Sequence, residues 1–191
     1  MKTIKIFTLL FIATMLISSC KKDDDGVPRQ MTNTYEFKQE IRGSEQVLGT
    51  LPAQVLKLSD IIGADPAENF QHAEMQLANS YLKISGLSQI ELPGEQPVVL
   101  KDFTIKVGTH QGVNLGDCST DPQTVNEFLS DAPQSTNQVV ALIETIFNDL
   151  TSGNRSTSIS VSFTPNVSLV PADNVQLIIS IGGTYHYLEF E

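Results

Sequence analysis

The sequence predicts a mainly β protein, an antiparallel and immunoglobulin-like β-sandwich with one crossover α-helix near residues 135–151. Three observations carry this prediction. Segments of alternating apolar and polar residues recur along the chain, turn residues separate them, and one longer stretch has helical periodicity instead. The 191 residues, of which 40% are hydrophobic, are enough for one domain with a packed core.

The first half of the chain favours strands interrupted by one helix start. Residues 35–41 and 55–58 alternate in hydrophobicity, and residues 74–85 fit a bulged strand better than a helix. Asp65 followed by Pro66 is typical of a helix N-terminus, with the aspartate as N-cap. The clearest strand spans residues 98–107, with Phe103, Ile105 and Val107 on one face.

The helical stretch lies in the second half. Asp121-Pro122 predicts a short helix that continues to Leu129. Ser135 with Gln138 forms a capping box for the main helix, and Gly153 follows its end. Apolar residues recur on one face of this helix, at Val139, Leu142, Ile143, Ile146, Phe147 and Leu150.

Two strand patterns follow this helix. Residues 158–163 alternate serine with Ile, Val and Phe, and residues 175–181 alternate similarly. Gly182-Gly183 has the two-residue length of a tight hairpin turn, which predicts a further strand over residues 184–190. A bulge within one long strand is the alternative interpretation.

The charge balance restricts the partners. The chain has 12 Lys and Arg against 22 Asp and Glu, a net charge of -10, and Arg155 is the only basic residue after Val107. Binding of DNA or RNA needs clustered basic residues, so the charge balance argues against nucleic acid as a partner.

The N-terminus has the pattern of a targeting segment. Lys2 and Lys5 precede an apolar run, residues 6–17, that is too short to span a bilayer as a helix. The run ends in Ile17-Ser18-Ser19-Cys20, which resembles the lipobox of bacterial lipoproteins. The resemblance implies that residues 1–19 are a signal peptide and that Cys20 carries the lipid that anchors the protein to the membrane.

The residues after Cys20 make this resemblance more specific. Lys22, Asp23 and Asp24 resemble the export signal of Bacteroidota lipoproteins, which implies display on the outer face of the outer membrane. A periplasm-facing anchor and a simple charged tether are the alternatives. We therefore expect a lipidated tether over residues 20–33 and a single sandwich domain over residues 34–191.

No catalytic motif or cofactor-binding motif is present, so the sequence predicts neither an enzyme nor a cofactor. One cluster suggests a metal site: the glycine-rich loop 108–121, where His110, Asp117 and Asp121 are candidate metal ligands. Asp121 also suits a helix N-cap. Cys118 is expected to be a small buried hydrophobe.

Two further features bear on binding. Tyr185 and Tyr187 share one face of a predicted strand and are candidates for stacking on a sugar ring. Ser158, Ser160 and Ser162 form an uncharged strand face, which indicates either an unprotected edge or the wet face of a central strand. We predict a non-catalytic binding or structural lipoprotein, such as an accessory subunit of an outer-membrane complex or an adhesion module. A binder of glycan or another small nutrient that serves a transporter is the alternative.

Overall fold

The computed structural model describes residues 26–43, 49–90, 96–119, 127–129, 138–170 and 173–190. The described strands are β1 (Val27–Glu40), β2 (Gly49–Lys57), β3 (Phe70–Met75), β4 (Tyr81–Ser85), β5 (Val99–Val107), β6 (Val113–Asn114), β7 (Cys118–Ser119), β8 (Glu127–Leu129), β9 (Ser156–Pro165) and β10 (Gln176–Glu189). The described helices are α1 (Leu58–Ile62), α2 (Ala64–Glu68) and α3 (Gln138–Thr151). The strands form two antiparallel sheets, which confirms the prediction of a mainly β protein.

The first sheet is built around β10. One side of β10 pairs with β1 along its whole length, from Val27 opposite Glu189 to Glu40 opposite Gln176. The other side pairs with β4 and then with β3, and β8 pairs with β4. The second sheet has the order β2-β9-β5-β6, with β7 also paired to β5, so that β9 is an interior strand.

Both sheets contribute to one hydrophobic core. Alternate residues of β9 are buried, as the predicted two-residue period requires. Helix α3 buries the predicted face and contacts strands of both sheets, so its apolar side belongs to the shared core. Ser135, its predicted cap, lies outside the described residues.

The ordered domain begins earlier than predicted. Strand β1 starts at Val27, within the segment 20–33 that was expected to be a tether. Its first residues are polar because β1 is an edge strand and they face solvent, so they lack the apolar alternation that marks a half-buried strand. Arg29 binds Glu189 at 2.7 Å and the hydroxyls of Thr32 and Thr184 are 3.1 Å apart, which joins this segment to β10.

The predicted hairpin at Gly182-Gly183 is wrong, because β10 runs straight through both glycines. The two residues instead permit close packing on opposite faces of the strand. A Cβ atom at Gly182 would lie 2.8 Å from the Cβ of Asn79, and one at Gly183 would lie 2.8 Å from Cε2 of Phe147. The alternative of one long strand is therefore the correct one, with a register shift at His186 and Tyr187.

Three local predictions also need correction. Residues 74–85 are not one bulged strand, because a 3₁₀ turn at Leu77–Asn79 separates β3 from β4. The end of the helix predicted to continue to Leu129 is instead strand β8, which pairs with β4. Asp65 lies inside the first turn of α2, whose N-cap is Gly63.

Candidate binding face on the second sheet

The outer face of the second sheet carries a line of hydroxyl groups. Along β9, the half-buried outward residues between the buried ones are Ser156, Ser158, Ser160, Ser162 and Thr164, which we call the hydroxyl row. Alternate residues of a strand lie about 6.6–6.8 Å apart, so the row spans about 27 Å. This face presents evenly spaced groups that both donate and accept hydrogen bonds.

The hydroxyl row lies in the middle of the sheet, not at its edge. Ser158 pairs with Val55 of β2, and Ser160 pairs with Lys106 of β5. The interpretation of the serine face as an unprotected edge is therefore wrong. With neighbours on both sides, β9 needs no lysine or proline to prevent strand addition, which explains why it has no lysine and a proline only at its last residue.

Three exposed lysines flank the hydroxyl row. They belong to the neighbouring strands and pair in register with hydroxyl residues: Lys57 with Ser156, Lys101 with Thr164, and Lys106 with Ser160. None of the ion pairs in the described part of the chain involves these lysines. Asp102, at a bulge with φ of 54°, is the one acid in β2, β5 and β9. In a chain of net charge -10, the strands of this face thus bring three lysines together with one acid.

A polar cleft of about 330 Å³ opens at the Ser156 end of the hydroxyl row. Ser156 and Ser158 line both features, so the row and the cleft form one continuous surface, which we call the binding face. The exposed side chain of Val55 adds an apolar patch, and His110 and Asp149 complete the opposite wall.

A hydrogen-bonded pair fixes the wall of the cleft. Nε2 of His110 lies 3.0 Å from Oδ1 of Asp149, and the hydroxyl of Thr157 donates to the other carboxylate oxygen at 2.8 Å. The backbone turns closely above them at Gly108, which has φ of +51° and where a Cβ would lie 3.1 Å from Asp149 Oδ2. Glycine is therefore favoured at this position for both its conformation and its lack of a side chain.

Among the described residues, the His110–Asp149 pair supplies one of the two contacts that a catalytic imidazole makes. A catalytic imidazole needs a hydroxyl or thiol within hydrogen-bond distance as well as an orienting carboxylate. Among the described residues, no hydrogen bond joins His110 to a serine, threonine or cysteine side chain. The pair instead holds two polar side chains in fixed positions at the end of the hydroxyl row.

Two of the three candidate metal ligands in loop 108–121 have other partners. His110 contacts Asp149, whereas Asp117 accepts a hydrogen bond at 3.0 Å from the backbone N–H of Asp102 and so stabilises the bulge of β5. Asp121 lies outside the described residues, as do Cys20, Lys22, Asp23 and Asp24. In the part of the chain that the structure describes, no three His, Cys, Asp or Glu residues are grouped to hold a metal ion.

The two tyrosines do not form a common platform for a sugar. Tyr185 is fully buried, with its ring centroid 6.0 Å from that of Phe147, because α3 packs against this side of β10. Burial also raises the pKa of Tyr185 to about 12. Tyr187 follows the register shift and lines a separate cleft of about 350 Å³ beside Asp65, Glu68 and other residues. Tyr185 is thereby excluded as a stacking residue.

Cys118 is buried at the end of the second sheet, as expected from the sequence. Desolvation, with a smaller contribution from the charge of Asp117, raises the pKa of the Cys118 thiol to about 12. The reactive thiolate forms only as the pH approaches this pKa, so the residue is poorly nucleophilic at neutral pH.

We expect Cys118 to resist alkylation in the folded protein. In a Cys20→Ala variant, which retains this single cysteine, iodoacetamide at pH 8 should label the thiol at least about 100-fold more slowly than in urea-unfolded chain. Mass spectrometry of timed samples measures both rates. Equal rates in the two states would show that the thiol is accessible and its pKa ordinary.

Comparison with known protein families, curated proteins and solved structures finds no match to this chain. Among the described residues, no helix has the length and apolar character needed to span a membrane.

Several residues of the binding face were not among the sequence candidates. Lys101 and Lys106 flank the clearest predicted strand, but only the pairing of β5 with β9 places them beside the serines. Asp149 lies on α3, and nothing in the sequence indicates that it contacts His110, 39 positions away. The period-two serine pattern and the candidate His110 are the signals in the sequence that point to this face.

Proposed function

We propose that the chain is a lipid-anchored outer-membrane protein, displayed on the cell surface, that acts without catalysis as an accessory subunit of a membrane complex or as an adhesion module. The anchor and the location rest on the resemblance of residues 17–24 to a lipobox and export signal. The observation that supports binding is the face on which three lysines flank a row of hydroxyl groups, in an otherwise acidic chain.

The length of the N-terminal segment supports a domain held close to its anchor. Val27 follows Cys20 by seven residues, and a fully extended segment of this length is at most about 25 Å long. A lipid on Cys20 would therefore keep the Val27 end of the first sheet within about 25 Å of its attachment point. Such a short tether favours a partner in the same membrane.

We also propose that the two sheets are layered face to face as an immunoglobulin-like sandwich. Their buried residues belong to one core cluster, to which Ile159 of the second sheet and Ile179 of the first both contribute. A side-chain amide of β1, Gln39 Nε2, donates to the carbonyl of Pro52 in β2 at 3.0 Å, which links the edges of the two sheets. This layering leaves the hydroxyl row on an outer surface.

The partner that this face suits best is a protein with a complementary acidic surface. Clusters of one charge accelerate association with the opposite charge and reject like-charged surfaces. The exposed Val55 would supply apolar contact area next to the lysines. The contact would bury a flat sheet face and leave the strand edges free.

The test is a mild-detergent pull-down of the full-length protein from its own outer membrane. We expect a membrane protein to co-purify in stoichiometric amount with the wild type and to be lost with the double variant Lys101→Glu/Lys106→Glu. The matched control is Lys38→Glu/Lys83→Glu, which reverses two charges on the first sheet and should retain the partner. Recovery of the wild type alone, or equal recovery with both double variants, would contradict the proposal.

Binding of a glycan or another small nutrient is the second candidate function. The cleft favours it, because hydroxyl, imidazole and carboxylate groups surround a volume in the range of ligand pockets. The lysines favour an acidic sugar within this class. If the protein is recovered alone, thermal stabilisation by polygalacturonate but not by neutral dextran would support this candidate.

A further inference from the structure

Two of the three histidines in the chain lie side by side on the outer face of the first sheet. His72 of β3 is directly opposite His186 of β10, and their rings are stacked with centroids 4.2 Å apart and planes 7° apart. His72 is exposed and His186 is half-buried, so solvent reaches the pair. The binding face lies on the other sheet and uses neither residue.

The packing of β10 determines which face of the sheet His186 lies on. Tyr185 is buried against α3, so the next residue, His186, faces the opposite way, as alternation along a strand requires. The register shift begins immediately after His186, which makes this pair the last one before the bulge. Within the same register Thr184 is opposite Glu74, so a carboxylate lies two positions from His72 on the same face.

We propose that His72 and His186 form a two-imidazole chelate for a divalent transition-metal ion such as Cu²⁺, Ni²⁺ or Zn²⁺. Each neutral imidazole offers one nitrogen lone pair, and nitrogen ligands bind zinc at about 2.0–2.1 Å. Two nitrogens on one ion are thus separated by no more than about 4.2 Å. The ring centroids are 4.2 Å apart, so both side chains reach a common ion, and each ring has to rotate about its side-chain torsions to point an in-plane nitrogen at that ion instead of lying parallel to its neighbour.

The chemistry of the pair selects the class of ion. Imidazole nitrogens suit Cu²⁺, Ni²⁺ and Zn²⁺, whereas Mg²⁺ and Ca²⁺ prefer oxygen ligands. The nearest basic side chain in register, Arg29, is opposite Tyr187 and is engaged by Glu189. Water molecules would complete the coordination sphere, with Glu74 as the nearest carboxylate in register. The site is therefore open, in contrast to a closed structural zinc site with four protein ligands.

The inference does not depend on the proposed surface function, and it is tested in purified protein. Detergent-solubilised full-length protein, produced without a polyhistidine tag, is titrated calorimetrically with CuCl₂, NiCl₂ and ZnCl₂. We expect one ion per chain, and affinity at least about 10-fold lower in His72→Ala and in His186→Ala. His110→Ala removes the third histidine, at a different surface, and should leave the affinity unchanged.

Electron paramagnetic resonance of the Cu²⁺-loaded protein distinguishes binding by the two imidazole nitrogens from binding by other ligand atoms. Coupling to two nitrogens is expected in the wild type, and coupling to two nitrogens should be lost in either variant. The carboxylates of residues 23–25 are oxygen donors and give no such coupling. Absence of binding would overturn the proposal, as would binding that is unchanged in His72→Ala and His186→Ala; both results would leave the pair as a cross-strand packing contact.

Discussion

Alanine at Gly183 is expected to lower the free energy of unfolding by about 1–3 kcal/mol, although alanine normally suits a strand better than glycine. The added Cβ would lie 2.8 Å from Cε2 of Phe147 and 2.9 Å from Cζ of Tyr185. Both rings are buried, so neither can rotate away without displacing the core side of α3. Overpacking would therefore outweigh the gain in strand propensity.

The measurement is urea unfolding of Gly183→Ala, with Gly153→Ala as the matched control. Gly153 follows α3, and a Cβ there would meet no atom within 4 Å, so the control should change stability by less than about 0.5 kcal/mol. Equal stability of Gly183→Ala and the wild type would show that α3 does not pack on β10 as closely as described.

The same glycine explains an error of the sequence interpretation. Two adjacent glycines after a strand pattern indicate a turn, because glycine tolerates positive φ. Glycine also lacks a Cβ, and it is this second property that β10 uses at Gly182 and Gly183. A glycine pair in a turn and a glycine pair in a closely packed strand look the same in the sequence. The elements that pack against the strand come from distant parts of the chain, and they decide which of the two structures forms.

The prediction succeeded where one face of an element is buried and the other meets water. The serines of β9 recur with the two-residue period of a strand, and the apolar residues of α3 recur with the period of a helix. The local pattern was therefore sufficient to predict both elements. It failed at β1, where polar residues extend an edge strand, and at β8, where three paired residues followed a helix-start signal. Both failures concern strands whose existence depends on a partner rather than on their own pattern.

The candidate site shows the same limit. His110 was singled out for its loop, but its contact with Asp149 joins that loop to the last turns of α3. The three lysines become one feature only through the pairing of β2, β9 and β5. The sequence shows which side chains are basic, whereas the order of the strands in the sheet determines that the three lysines lie beside the same strand.

Replacement of Cys20 by alanine is expected to abolish retention of the protein in the membrane fraction. Lipid attachment is the only membrane contact that the resemblance implies, and Val27–Glu189 already forms an acidic domain with paired strands and a core of its own. Strong negative charge also disfavours adsorption to anionic lipid headgroups. Because Cys20 precedes β1 by seven residues, we expect the folded domain to be unaffected by the substitution.

The matched control keeps the cysteine and alters the residues after it. Changing Lys22, Asp23 and Asp24 to alanine should leave the protein in the membrane fraction but remove it from the outer face, since the change spares the lipid attachment site. Urea unfolding of both variants should match that of the wild type. Together the two variants separate anchoring from surface display.

The most direct test of the central claim is fractionation of cells expressing the wild type or Cys20→Ala, with immunodetection of the protein in membrane and soluble fractions. If the protein is anchored by a lipid on Cys20, the wild type is expected in the outer membrane and the variant in the soluble fraction. Retention of Cys20→Ala in the membrane, with the same yield and resistance to washing as the wild type, would contradict it.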